Sequence, residues 1–271
     1  MKKKLIITLI IVIVLLSIVL IYSKKITSHS LKVIEYGIVD KNIPDEFHGL
    51  KIVHFSDVQY GKLTNLNDLK KVINKINELN PDVVIFTGDF FNKNIKVSDN
   101  EKEKIKNLLL TINSKYENYA ILGDNDLLFK DLFYQIFNDN FIILDNETNL
   151  LYISSGKPIR FIGLNDITKE EIINDEDNNK LYNILLLHKP DEIENLKNKY
   201  NIVFAGHSMG GQVKIPFYGP LIKLKGSKKY TSGEYQFNNA KLFVTDGIGS
   251  QNINMRINNK PKINFYRMYN H

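Results

Sequence analysis

Apolar and polar positions alternate along this chain with two different periods. Short apolar runs rich in branched residues, the first at Lys51 to Phe55, read as buried strands. Between them the spacing turns helical. Leu66, Leu69, Val72, Ile73, Ile76 and Leu79 share one face, and the Asn80-Pro81 step ends that helix before a strand at Val83 to Thr87. A charged helix near Glu101 to Ile112 leads to a strand at Tyr119 to Leu122. Further buried strands are predicted at Phe161 to Leu164, Ile184 to Leu187, Ile202 to Ala205 and Leu242 to Thr245. Strand and helix in alternation predict an α/β fold. Asp175 to Lys180 reads as a solvated polar loop, and no internal repeat or second domain is visible.

Ahead of this pattern, Leu5 to Tyr22 is apolar apart from Thr8 and Ser17, and as a helix its 18 residues would span about 27 Å. The apolar core runs straight into Tyr22-Ser23-Lys24-Lys25 without a small-residue cleavage site, which favours an uncleaved anchor over a signal peptide. Three lysines precede the segment and two follow it, so the expectation is a single-pass membrane protein with a cytoplasmic N-terminus and an extracytoplasmic domain. The chain then divides into an anchor over residues 1–25, a linker and leading strand over 26–49, and one domain over 50–271.

Composition changes the picture in three places. A hydrophobic fraction of 43% with 24% charged residues is enough for a packed core and excludes disorder. The net charge of +6 is concentrated at Lys2, Lys3, Lys4, Lys24 and Lys25. That leaves 31 of the 36 basic side chains against 30 acidic ones in the body, too even for a nucleic-acid footprint. With no cysteine, disulfides, thiolate metal sites and a cysteine nucleophile are excluded together.

Candidate chemistry gathers where the predicted strands end: Asp57, Asp89 and Asp124 after the first three, His188 and His207 after two later ones. In open α/β sheets these carboxyl ends form the ligand crevice. One such Asp or His is ordinarily a turn former or cap. Five converging from separate strands make a divalent-cation site, with carboxylate and imidazole donors suited to Mn, Zn or Fe. Gly88, Gly123 and Gly206 precede three of them and let the backbone turn tightly.

The order of these elements resembles the calcineurin-like metallophosphoesterase superfamily over about residues 50 to 268. Ser56-Asp57-Val58-Gln59 stands for its D-x-H, Gly88-Asp89-Phe90-Phe91-Asn92 for its G-D-x-x-D, and Gly123-Asp124-Asn125-Asp126 for its G-N-H-D. His188 matches its lone histidine, and Gly206-His207-Ser208-Met209 its G-H-x-H. Gly210-Gly211-Gln212, Ile215 to Pro220, Asp246 to Gly249 and Met255-Arg256-Ile257 are similar to the membrane-associated bacterial branch. The resemblance implies two packed β-sheets flanked by helices, an αββα sandwich. It also implies one or two divalent ions and hydrolysis of a phosphomonoester, phosphodiester or pyrophosphate by metal-activated water, the substrate a phosphate ester such as a lipid or envelope compound.

The chain departs from that pattern at four positions. In the family one ion is held by the first Asp, the D-x-H histidine, the bridging Asp and the last histidine; here Asp57 and Asp89 remain, while Gln59 and Met209 replace both imidazoles. For the other ion the resemblance leaves Asp89, Asp124, His188 and His207, with Asp124 in place of an asparagine. Asn125 stands where the family's histidine stabilises the transition state or protonates the leaving group, and Asp126 is its orienting neighbour. Asn can donate a hydrogen bond to a phosphoryl oxygen but cannot deliver a proton. A weakened or inactive binding module is therefore the rival to a hydrolase. A remoter rival is a serine hydrolase, since Gly206-His207-Ser208-Met209-Gly210 fits the nucleophile-elbow pattern, although Gln212 to Pro220 is unsuited to the helix an elbow requires.

Overall fold

The computed structural model describes residues 2–25, 30–173, 180–197, 199–215, 217–251 and 255–271. The polar loop expected over Asp175 to Lys180 lies, apart from Lys180, outside them. From the N-terminus the elements are α1 (Lys2–Lys25), β1 (Lys32–Val39), β2 (Lys51–Phe55), α2 (Leu66–Glu78), β3 (Val83–Thr87), α3 (Asp99–Leu109), β4 (Asn118–Ile121), α4 (Lys130–Phe137) and β5 (Ile142–Ile143). Then come β6 (Glu147–Leu151), β7 (Ile159–Leu164), β8 (Tyr182–Leu187), β9 (Ile202–Ala205), β10 (Lys214–Ile215), β11 (Gly219–Pro220), β12 (Gly233–Phe237), β13 (Ala240–Val244) and β14 (Lys262–Tyr269).

Two six-stranded mixed sheets result, in the orders β1-β14-β2-β3-β4-β5 and β12-β13-β9-β8-β7-β6. In the first, β2 to β5 run parallel; in the second, β7, β8, β9 and β13 do. Alternation along each strand assigns its faces. Val53, Phe55, Val84 and Phe86 point outward to α2, α3 and α4, meeting Val72, Ile73, Leu109, Phe133 and Phe137. Ile52, Ile85 and Tyr119 point inward and meet Phe161, Ile184, Leu186 and Phe204 of the second sheet, Tyr119 stacking on Phe161 at 4.2 Å. α2 starts where Asn65 accepts from the backbone N–H groups of Asn67 and Asp68, while Asp68 accepts in return from Asn65 N.

Two expectations are corrected here. The outer face of the second sheet, carrying Leu185, Leu187, Val203 and Ala205, is covered by 3-10 turns at Ile167–Ile173 and Pro190–Asn195 and by loops. Among the described residues no α-helix lies in that layer, whose helical cover is those two 3-10 turns. The second correction concerns α1. Among the described residues no helix is long and apolar enough to cross a membrane. That overturns the single-pass localisation and the orientation inferred from it.

Candidate metal centre

Three of the parallel strands of the first sheet each deliver one acid at the carboxyl end: Asp57 after β2, Asp89 after β3, Asp124 after β4. β8 and β9 of the second sheet deliver His188 and His207 to the same place. The turns are sharp. Asp57, Gln59, Asp89, His207 and Met209 all have positive φ, between 50° and 65°, and such left-handed non-glycine residues gathered at one place are the mark of a constrained site. Gly88 does turn through φ +90°, as expected, but Gly123 has no positive φ and answers a need for space. A Cβ there would lie 2.4 Å from Asp89 Oδ1 and 2.8 Å from His188 Cε1.

Asp89, His188 and His207 form the group whose ligand atoms come together, all within 4.8 Å of one another and all buried. Their hydrogen bonds fix which atoms face inward. His188 Nδ1 lies 2.7 Å from the Thr87 carbonyl oxygen and His207 Nε2 lies 2.8 Å from that of Lys225. A carbonyl only accepts, so each of those nitrogens carries the hydrogen. His188 Nε2 and His207 Nδ1 are then left with lone pairs, and they face each other at 3.2 Å. Asp89 Oδ1 sits 3.6 Å from His188 Nε2. Two opposed lone pairs beside a buried carboxylate call for a cation between them.

The electrostatics agree. Burial disfavours the imidazolium of His188, but the Asp89 carboxylate, Asp57 and the Thr87 carbonyl together outweigh it and lift the pKa to about 10. Burial and then the charge on His188 push His207 down to about 4, so without a metal one further proton, beyond those on His188 Nδ1 and His207 Nε2, sits with His188 between the two facing nitrogens. Asp57 is raised to about 7 by burial, and Asp126 likewise.

A calcineurin-like phosphoesterase family model matches residues 50–211, which contain all of these groups. The chain belongs to the calcineurin-like phosphoesterases. It is 29% identical over 262 residues to the uncharacterized metallophosphoesterase YkuE of Bacillus subtilis, covering 91% of this chain and 88% of that one. Identity is 27% to the UDP-2,3-diacylglucosamine pyrophosphatase LpxG of Chlamydia muridarum, over 78% of this chain and 82% of the relative. An uncharacterized metallophosphoesterase of Campylobacter jejuni, Cj0846, is 30% identical over 89% of this chain and 64% of its own length. Membership of this family implies divalent metal, and the Asp89, His188 and His207 donors fit it.

The other phosphoesterase positions are arranged differently. Asp57 is fully buried, with Oδ2 accepting from His207 N at 2.8 Å, and it stands outside the group of three. Asp124 also stands outside it: partly exposed, it pairs with Lys189 Nζ at 2.5 Å and reaches His207 Nδ1 only at 3.9 Å. Asn125 turns inward, its Nδ2 within reach of Asp89 Oδ2, Gln59 Oε1 and Phe91 O, and its backbone N–H bonds Asp89 Oδ1 at 2.8 Å. Asp126 orients backbone, accepting from Phe90 N, Phe91 N and Gly123 N and so tying together the loops after β3 and β4. Ser208 carries no nucleophile elbow. It is buried, donates to Thr245 O, and caps a three-residue 3-10 turn, Met209–Gly211.

Sequence reasoning missed Lys189 and the two carbonyls that set the imidazole tautomers. Lys189 had a signal, since it follows a ligand-type histidine. The carbonyls of Thr87 and Lys225 had none, because backbone oxygens carry no residue identity.

Proposed function

We propose that this phosphoesterase hydrolyses a phosphoric ester or diphosphate bond with a divalent cation held by Asp89, His188 and His207. The observation that carries the reading is the pair of opposed imidazole lone pairs beside Asp89 Oδ1. A divalent cation bound there supplies Lewis acidity to a phosphoryl oxygen and makes a water acidic enough to attack near neutral pH.

The chain's own residues then set the substrate. Lys189, salt-bridged to Asp124 at the rim, offers an ammonium to the phosphoryl oxygens. Asn125, with its amide hydrogens directed into the protein, gives the leaving group no proton. Leaving groups that need none are therefore favoured, among them aryloxides and phosphates. The second class fits the diphosphate bond named for the Chlamydia relatives. Their diacylated sugar nucleotide also suggests a lipid-like substrate here. In support, Phe217, Tyr218 and Leu221 are exposed in the hairpin that begins just after Gln212 and leads on to Lys225, whose carbonyl holds His207.

Hydrolysis of an aryl phosphodiester by the full chain, with Mn²⁺, Zn²⁺ or chelator, tests this. Activity is expected with metal only and is lost in Asp89→Asn, and an alkyl diester is expected to react at least tenfold more slowly. Equal alkyl and aryl rates would remove the leaving-group argument. A metal-binding module without turnover is the second reading, favoured by the inward turn of Asn125; a metal-loaded, folded chain inert to the aryl diester would select it.

A further inference from the structure

On the side of Asp89 away from the two histidines, the polar atoms are already engaged. Gln59 Nε2 donates to Asp89 Oδ2 at 2.8 Å, and Asn125 Nδ2 donates to the same oxygen at 3.2 Å. N–H groups aimed at a carboxylate oxygen take the directions from which a cation would approach it. Gln59 Oε1, the atom of this amide that could ligate, accepts from Asn125 Nδ2 at 3.1 Å and from Asn92 Nδ2 at 3.3 Å. The network thereby fixes the amide's orientation as well as its occupancy.

Met209 is closed off by a different device. Its sulfur, buried, accepts from Arg256 Nη2 at 3.5 Å. Arg256 is fully buried and is held by donating to the carbonyls of Asp246 at 2.8 Å and Gly249 at 2.7 Å. A guanidinium fixed against the thioether repels a divalent ion in a medium of low dielectric. Asp57 Oδ1 is the exception, a buried oxygen with no hydrogen-bond partner. One ligand atom falls short of the four or more that a divalent ion takes.

Resting on the reading of this chain as a metal-dependent hydrolase, we propose that it is a one-ion phosphoesterase. The amides of Gln59 and Asn125 and the guanidinium of Arg256 stand where the family pattern has a second cation and its imidazoles. Positive potential around Asp89 and Asp57 is then supplied by fixed N–H groups and one buried charge.

Metal counting on the full chain, equilibrated with excess Mn²⁺ and freed of loose ions by desalting, tests the proposal, with electron paramagnetic resonance as a second readout. One Mn²⁺ per chain is expected, with the six-line signal of an isolated ion, and His188→Ala with His207→Ala removes it. The Gln59→His, Met209→His double variant is expected to take two ions and show a spin-coupled signal. Two coupled ions in the unaltered chain would overturn the proposal, as would a folded double variant that still takes one. Should that variant fail to fold, the line shape of the unaltered chain decides alone. A chain that takes no ion at all overturns the metal-hydrolase reading itself, and this proposal with it.

Discussion

On one side of Asp89, His188 and His207 present facing nitrogens 3.2 Å apart; on the other, the amides of Gln59 and Asn125 bond Asp89, Asn92 and each other, and Arg256 bonds Met209 and two backbone carbonyls. Both sides are built at the same carboxyl ends of strands and are buried to the same degree. What separates them is whether the local hydrogen bonds leave lone pairs over. Where the only partners are main-chain carbonyls, each imidazole keeps a lone pair for a ligand. Where amides meet a carboxylate, donors and acceptors cancel, and of that side only Asp57 Oδ1 is left over for an ion. A family pattern that has lost two imidazoles can therefore keep its acids buried, because new donors neutralise them.

The sharpest way to break this contrast is to truncate one residue on each side. His188→Ala removes a ligand and is expected to lower aryl diesterase activity by about three orders of magnitude while emptying the site of metal. Gln59→Ala takes the acceptor of Asn92 Nδ2 and one of the three acceptors of Asn125 Nδ2; it is expected to cost about 2 kcal/mol of stability yet hold activity within about tenfold. Metal content and turnover of the two variants, measured side by side, check this. Equal losses in both would mean that the two sides work as one centre.

A second test concerns the guanidinium alone. Arg256→Met has nearly the same length but gives the Asp246 and Gly249 carbonyls no donor and takes away the one fixed charge beside Met209. The expected loss is about 3 kcal/mol, or about 8 °C in Tm for a chain of this size, at unchanged Mn²⁺ affinity. A melting curve within about 2 °C of the unaltered protein would show that this side needs no buried charge.

How much of this was legible in the sequence differs in the same way between fold and site. Strands such as Val83 to Thr87 and Ile184 to Leu187 were readable because they are buried on both faces and so are continuously apolar. Gly233–Phe237 and Glu147–Leu151 were not, since edge strands with polar alternation look like loop. The residues of the proposed centre are legible by type and by their positions after strands. Their arrangement is not legible there: Asp124 pairs with Lys189 at the rim, and Asn125 faces inward. The partners that decide these outcomes come from other strands or from backbone atoms, and neither is encoded in a local motif. The apolar N-terminal run was read from its length, its composition, its lysine flanks and the lack of a cleavage site, and no helix among the described residues is long and apolar enough to bear that reading out.

The smallest expected effect concerns His54, which shares Thr87 with His188. Thr87 O accepts from His188, while Thr87 Oγ1 lies 2.8 Å from His54 Nε2 on β2. His54 is fully buried against Phe204 and Tyr266, its Nδ1 has no hydrogen-bond partner, and burial lowers its pKa to about 3. Unlike His188 it has no carboxylate to favour the proton, so it is a neutral support for the residue that orients a ligand. Between its folded value and the ordinary value of about 6.5 the unfolded chain binds a proton that the folded chain does not, so stability rises with pH across that window. The contribution is whole above pH 6.5 and falls as acid is added, by about 3 kcal/mol at pH 4. In His54→Leu that fall disappears, while loss of the bond to Thr87 costs about 1 kcal/mol at pH 8. Urea unfolding of both proteins at pH 8, 6 and 4 isolates the effect, because the buried carboxyls of Asp57 and Asp126 are common to the two. The variant is expected to be the less stable protein at pH 8 and the more stable one at pH 4; parallel curves would mean that His54 is protonated in the fold and that Thr87 is braced by a charge.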